Sequence, residues 1–111
     1  MQEISVQDAY TVLQKQDAIL IDVREEDEYL HAHIQGAQLA PLSDLPRAIQ
    51  NISIPEGKKI IVQCLKGGRS AQAIEFLTDN IFKDKDVYNM VGGIKDWAEQ
   101  GLPVTFSETR K

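Results

Sequence analysis

A single cysteine in 111 residues excludes an internal disulfide, and a tetrahedral cysteine zinc site with it. Only two histidines accompany it, too few to hold a metal without further ligands, so neither a metal nor a cofactor is expected. Basic residues are the next shortage: twelve Lys and Arg against seventeen Asp and Glu leave a net charge of −5. Gripping nucleic acid takes clustered Lys and Arg at the phosphates, so no nucleic-acid partner is expected. A small anion feels local charge more than net charge and stays open as a ligand. Long apolar runs are missing too. The longest, Ala18-Ile19-Leu20-Ile21, falls far short of the ~20 residues of a membrane helix, so no membrane is expected. No basic stretch followed by an apolar run follows Met1, so no secretory leader is expected, and a solitary thiol is safest in the reducing cytoplasm.

What remains is a globular composition, 42% hydrophobic and 26% charged, in a length that suits one domain with a real core. Repeats, linkers and low-complexity stretches are lacking. The reading is a single domain over residues 1–105, with 106–111 a frayed tail. Three short runs are apolar on both faces: Ile19-Leu20-Ile21, Lys59-Ile60-Ile61-Val62-Gln63 and Val87-Tyr88-Asn89-Met90-Val91. Such runs suit strands of a parallel sheet covered on both sides. Ile4 and residues 37–39 add two weaker candidates. Between them lie helical patterns: one capped by Ser5 with apolar positions Ala9, Val12 and Leu13, and others over 41–52, 70–81 and 93–100. Strand followed by helix, several times over, is the signature of an α/β domain.

Ligands of open α/β sheets bind outside the carboxyl ends of the strands, and there the sequence puts its most reactive atom. Cys64 ends the run 60–63, and Leu65-Lys66-Gly67-Gly68-Arg69 follows before a helix opening near Ser70. A thiol between a strand end and a helix N-terminus meets a ring of outward-pointing amides and the positive end of a helix dipole. Both favour the thiolate, which is the nucleophile. Gly67 and Gly68 permit a tight turn around a bound anion, and Lys66 and Arg69 add positive charge at the rim. A nucleotide phosphate loop is excluded, because the Gly-Lys-Ser or Gly-Lys-Thr ending is absent.

Three segments together resemble the rhodanese-like sulfurtransferases, over nearly the whole chain. The first is Leu20-Ile21-Asp22-Val23-Arg24-Glu25 with Glu28-Tyr29, His33-Ile34 and Gly36-Ala37; the second is Cys64-Leu65-Lys66-Gly67-Gly68-Arg69-Ser70. The third is Gly92-Gly93-Ile94 with Trp97 and Gly101-Leu102-Pro103-Val104. The resemblance implies a rhodanese-like α/β fold, a five-stranded, mainly parallel sheet with helices on both faces. It also implies that Cys64 carries a persulfide sulfur, with the loop 65–70 binding the donor through its amides. The partners so implied are a small donor such as thiosulfate and an acceptor such as cyanide, a thiol or a sulfur-carrier protein. Leu65 stands where some members carry Arg, one positive charge fewer.

Two other functions compete. Phosphatases and arsenate reductases of related fold also place Cys and Arg in a strand-to-helix loop, but with one residue more than the six from Cys64 to Arg69. The shorter ring suits a single sulfur better than a tetrahedral phosphate. A non-catalytic docking module is the other alternative, and inactive members typically lack the Cys kept here. Asp22 and Arg24, at the same sheet edge as Cys64, tune the site or, more simply, brace a loop. His33 fits a loop hydrogen bond, His31 a solvated surface and Trp97 a packed core. The acidic run Glu25-Glu26-Asp27-Glu28 reads as a solvated helix start.

Overall fold

The computed structural model describes residues 1–106. In chain order these form β1 (Gln2–Ile4), α1 (Val6–Gln14), β2 (Ala18–Asp22), α2 (Glu26–His31), β3 (Ala32–His33) and β4 (Gln38–Leu39). Then come α3 (Leu45–Ala48), β5 (Lys59–Gln63), α4 (Gly68–Asn80), β6 (Val87–Met90), α5 (Gly93–Glu99) and β7 (Thr105–Phe106). Five strands make one parallel sheet in the order β1-β6-β5-β2-β4, with β5 at its centre. The α/β fold and its five-stranded parallel sheet thus stand as the sequence predicts, weak strands included.

Alternation along β5 divides the core. Ile60, Val62 and Cys64 face one layer with Ala73, Ile74 and Leu77 of α4 and Leu45 of α3. Ile61 faces the other, with Val6 and Ala9 of α1 and Ile94 and Trp97 of α5. Helices therefore cover both faces, and each fully buried Ile or Leu contributes about 2 kcal/mol of transfer free energy. Trp97 is buried and its indole N–H donates to the Pro103 carbonyl at 2.8 Å, the packing role its sequence position indicates. Among the described residues no helix is long and apolar enough to cross a membrane.

Three expectations need correction. Residues 41–52 form no continuous helix: the four-residue α3 lies between two 3-10 turns, Leu42–Asp44 and Ile49–Asn51. Pro46 has no N–H to continue an α ladder back toward Leu42, and tighter bonds of the Leu45 N–H to Leu42 O type take over. α4 opens at Gly68 rather than near Ser70: bends at Leu65, Lys66 and Gly67 complete the turn, and Gly67, at φ +120°, is the residue that precedes the helix. Phe106 belongs to no tail: it pairs with Ala32 in an antiparallel ribbon of β3 and β7. The rest of the expected tail, 107–111, lies outside the described residues.

Candidate active site at the end of the central strand

The register pairs Asp22 of β2 with Gln63 of β5, and the Val23 N–H donates to the Gln63 carbonyl at 3.0 Å. Cys64 therefore emerges at the carboxyl edge of the sheet, next to the end of β2. Its residue is only 1% exposed, while Leu65, Lys66 and Gly68 of the loop face solvent and Ser70 is buried. The Gly67 N–H donates to Cys64 Sγ at 3.1 Å, and the Ser70 hydroxyl lies 3.5 Å from the sulfur. Burial pushes the Cys64 thiol up, and this is the largest single effect. The Ser70 hydroxyl and the amides of Ser70, Gly67 and Lys66 together outweigh it, so the thiol ends below its ordinary value. This arrangement favours the thiolate over what burial alone would allow, through donors aimed at the sulfur.

The start of α5 closes the loop from behind. The Ile94 N–H donates to the Cys64 carbonyl at 2.9 Å and the Lys95 N–H to the Leu65 carbonyl at 3.0 Å. Gly93 sits so near that loop that a Cβ there would lie 2.4 Å from both carbonyl oxygens. Sequence reasoning placed Gly92-Gly93 in a signature without finding this job.

Arg69 differs most from expectation. Its guanidinium makes a two-point ion pair with Glu28, at 2.7 and 2.9 Å, so its charge is largely committed inside the protein. Lys66 alone carries rim charge unpaired among the described residues. Glu28 is accordingly not a solvated residue of a helix start. It also accepts the Glu25 N–H at 2.9 Å, and Glu25 in turn holds the Ser43 hydroxyl at 2.6 Å. No periodicity marks Glu28 out from its acidic neighbours.

Asp22 and Arg24 are buried together: the Arg24 Nε and Nη2 donate to the Asp22 carboxylate, and Nη2 also to the Ala32 carbonyl at 2.7 Å. Their hydrogen bonds tie β2 to the end of α2 and none reaches the sulfur, which is the bracing geometry. His33 stacks on Tyr29 and its Nδ1 meets the Tyr29 carbonyl at 2.9 Å, while His31 is exposed. Sequence reasoning also passed over Asn89, a buried polar residue in an apolar strand, which hydrogen-bonds Ser70. The interruption of the apolar run 87–91 by an amide was the available signal.

The pair makes a pH prediction. The hydrogen bond from Arg69 holds the Glu28 carboxyl down at about 2, from an ordinary 4.5, although partial burial opposes it. A depressed carboxyl stabilises the fold fully above its unfolded value and loses that contribution as pH falls from about 4.5 toward 2. With a third of each side chain exposed, screening leaves about 1 kcal/mol. Glu28→Gln should therefore melt earlier than the parent at pH 7, and the gap should close between pH 5 and 2; a gap that is independent of pH over that range refutes the pairing as its cause.

Comparison with known proteins bears on the family and the fold. Over 103 aligned residues the chain is 35% identical to the tRNA uridine(34) hydroxylase of Cronobacter sakazakii, a match covering 86% of this chain and 29% of that protein. The chain thus spans under a third of the length of this curated relative. A rhodanese-related protein of Thermoplasma volcanium, 30% identical, superposes with a TM-score of 0.81 over 95% of this chain and 98% of that one. The thiosulfate sulfurtransferase of Pseudomonas aeruginosa is 21% identical and superposes with a TM-score of 0.84 over 99% of this chain and 21% of that one, a likeness of fold. The rhodanese-like domain pattern matches residues 5–100, nearly the whole chain, and by that match the chain belongs to the rhodanese-like domain family.

Proposed function

We propose that this domain is a sulfurtransferase acting through a persulfide on Cys64, with residues 65–70 as the donor-binding loop. In this reading the Cys64 thiolate attacks the outer sulfur of thiosulfate. The S–S bond of the donor breaks, sulfite leaves with the electron pair, and the enzyme keeps the sulfur as Cys64–S–S⁻. An acceptor nucleophile, cyanide or a thiolate, then takes the outer sulfur, and the bonding pair returns to Cys64. No oxidant and no cofactor enters the balance. One observation carries the proposal: the chain's single thiol, held below its ordinary pKa, sits in a six-residue loop whose amides face the sulfur.

Intact mass after incubation with thiosulfate should rise by one sulfur and fall back on addition of cyanide. An unchanged mass overturns the reading. Aryl phosphates should not be turned over, because the ring is one residue short for phosphate and its arginine is already occupied by Glu28; clear phosphatase turnover would favour the competing function instead. The retained thiol speaks against a purely docking module.

The name of the Cronobacter relative describes action on tRNA. Carried to this chain, that would make the domain a sulfur-handling part beside nucleic acid, in the cytoplasm. The net charge of −5 favours a small-molecule or thiol partner for the domain itself. Salt-sensitive retention of tRNA by the isolated chain would reverse that preference.

A further inference from the structure

The Ser70 hydroxyl has one proton and three acceptors within reach. Its Oγ lies 2.5 Å from Asn89 Oδ1, 3.1 Å from the Gly67 carbonyl and 3.5 Å from Cys64 Sγ. Asn89 Nδ2 donates to the same Gly67 carbonyl at 3.2 Å, which fixes the amide with its oxygen toward Ser70. The Gly67 N–H donates to the sulfur, so the groups close a ring: sulfur, Ser70, Asn89, Gly67 and back to the sulfur. Ser70 is 0% exposed, Cys64 1% and Asn89 6%, which leaves little room for water to supply a missing proton.

We propose that Asn89 is a positioning residue of the sulfur site, its side-chain carbonyl competing with the Cys64 sulfur for the single proton of Ser70. The purpose of the device rests on the persulfide reading above; the geometry does not. In the thiol form Cys64 S–H donates to Ser70 and Ser70 donates to Asn89. Once the thiol proton has gone to solvent, the negative sulfur is a strong acceptor and draws the Ser70 proton away from Asn89. In the persulfide the charge moves to the outer sulfur, the inner one becomes a poor acceptor, and Ser70 donates to Asn89 again. Asn89 therefore supports the two states in which Sγ is uncharged, the thiol and the loaded persulfide, at the expense of the thiolate that lies between them.

The charged groups around the loop are Lys66 itself, Arg69 of α4 with Glu28 of α2, the Asp22–Arg24 pair at β2, and Lys95 and Asp96 of α5. Among the described residues none of them hydrogen-bonds Asn89 or Ser70 through its side chain, so all stay in place when Asn89 changes. The Gly67 carbonyl keeps the Ala71 N–H at 3.2 Å and has no need of the Ser70 proton.

The chain has one cysteine, so the rate of alkylation by iodoacetamide against pH reports on Cys64 alone. Asn89→Leu should release the Ser70 proton to the sulfur and speed alkylation about three- to tenfold at a pH below the thiol's midpoint, with the high-pH plateau unchanged. Ser70→Ala should slow alkylation there, and in a Ser70→Ala background Asn89→Leu should have no effect. An unchanged or slower profile for Asn89→Leu, or the same acceleration without Ser70, overturns the proposal. Should Asn89→Leu fail to fold by circular dichroism, Asn89→Asp takes its place: its carboxylate should slow alkylation more with Ser70 present than without, and equal slowing refutes the competition. Alkylation needs no sulfur donor. A failure of the persulfide reading would show in the mass measurement and leave this cycle intact.

Discussion

Cys64→Ser should abolish sulfur transfer, lowering the thiosulfate:cyanide rate by at least about a thousandfold, while the circular dichroism spectrum stays that of the parent. The size of the loss follows from chemistry. A serine hydroxyl does not ionise near neutral pH, whereas the Cys64 thiol is held toward its thiolate by Ser70 and three loop amides. No second sulfur nucleophile exists in the chain to take over, because the sequence has one cysteine. The fold survives because the replacement is nearly isosteric and the buried hydroxyl finds the Gly67 N–H, which now faces the sulfur at 3.1 Å. Activity within tenfold of the parent, in a variant confirmed by mass, would remove Cys64 from the reaction. Loss of activity together with loss of the fold would show that the thiol serves the core of β5 and α4, where Cys64 packs, rather than chemistry. The proposal requires the first loss without the second.

The parts of this site that the sequence displays are those set by local pattern. β2, β5 and β6 announce themselves because both of their faces are buried, and Cys64 follows β5 directly, so the position of the thiol at the sheet edge is readable from the strand's end. The turn at Gly67 is readable in the same way, from residue type alone. What the sequence hides are pairings across distance. Arg69 and Glu28 are 41 positions apart, and an acidic residue among four gives no sign that it alone reaches α4. Ser70 and Asn89 meet only because β6 lies beside β5 in the sheet, which places Asn89 beneath the start of α4. Pro46 is a different kind of loss: apolar spacing over 41–52 reads as helix, but one missing N–H splits it. The expected rim charge suffers most from this, since a sequence shows that an arginine is present and not that a carboxylate has claimed it.

Gly93→Ala should be the most damaging single-methyl change in the molecule, costing about 3 to 5 kcal/mol of stability and most of the transfer activity. Gly93 holds φ at +61°, a conformation that costs an L-residue about 1 kcal/mol or more before any contact is counted. The added Cβ would also lie 2.4 Å from the Cys64 and Leu65 carbonyl oxygens and 2.5 Å from the Leu65 carbonyl carbon. All three are backbone atoms, so no side chain can swing aside. Relief comes only by moving α5 off the loop, and that stretches the Ile94 and Lys95 hydrogen bonds to those same two carbonyls. With the peptide after Cys64 turned, the Gly67 amide no longer meets the sulfur, which links the loss of stability to a loss of thiolate. Gly68→Ala is the matching control: a Cβ there has no neighbour within 4 Å and the backbone angle is ordinary, so stability should stay within about 0.5 kcal/mol of the parent. Urea midpoints for the two variants decide the matter. If Gly93→Ala unfolds within about 1 kcal/mol of Gly68→Ala, the junction of α5 with the loop is plastic, and the carbonyls of Cys64 and Leu65 are not what hold the sulfur site in shape.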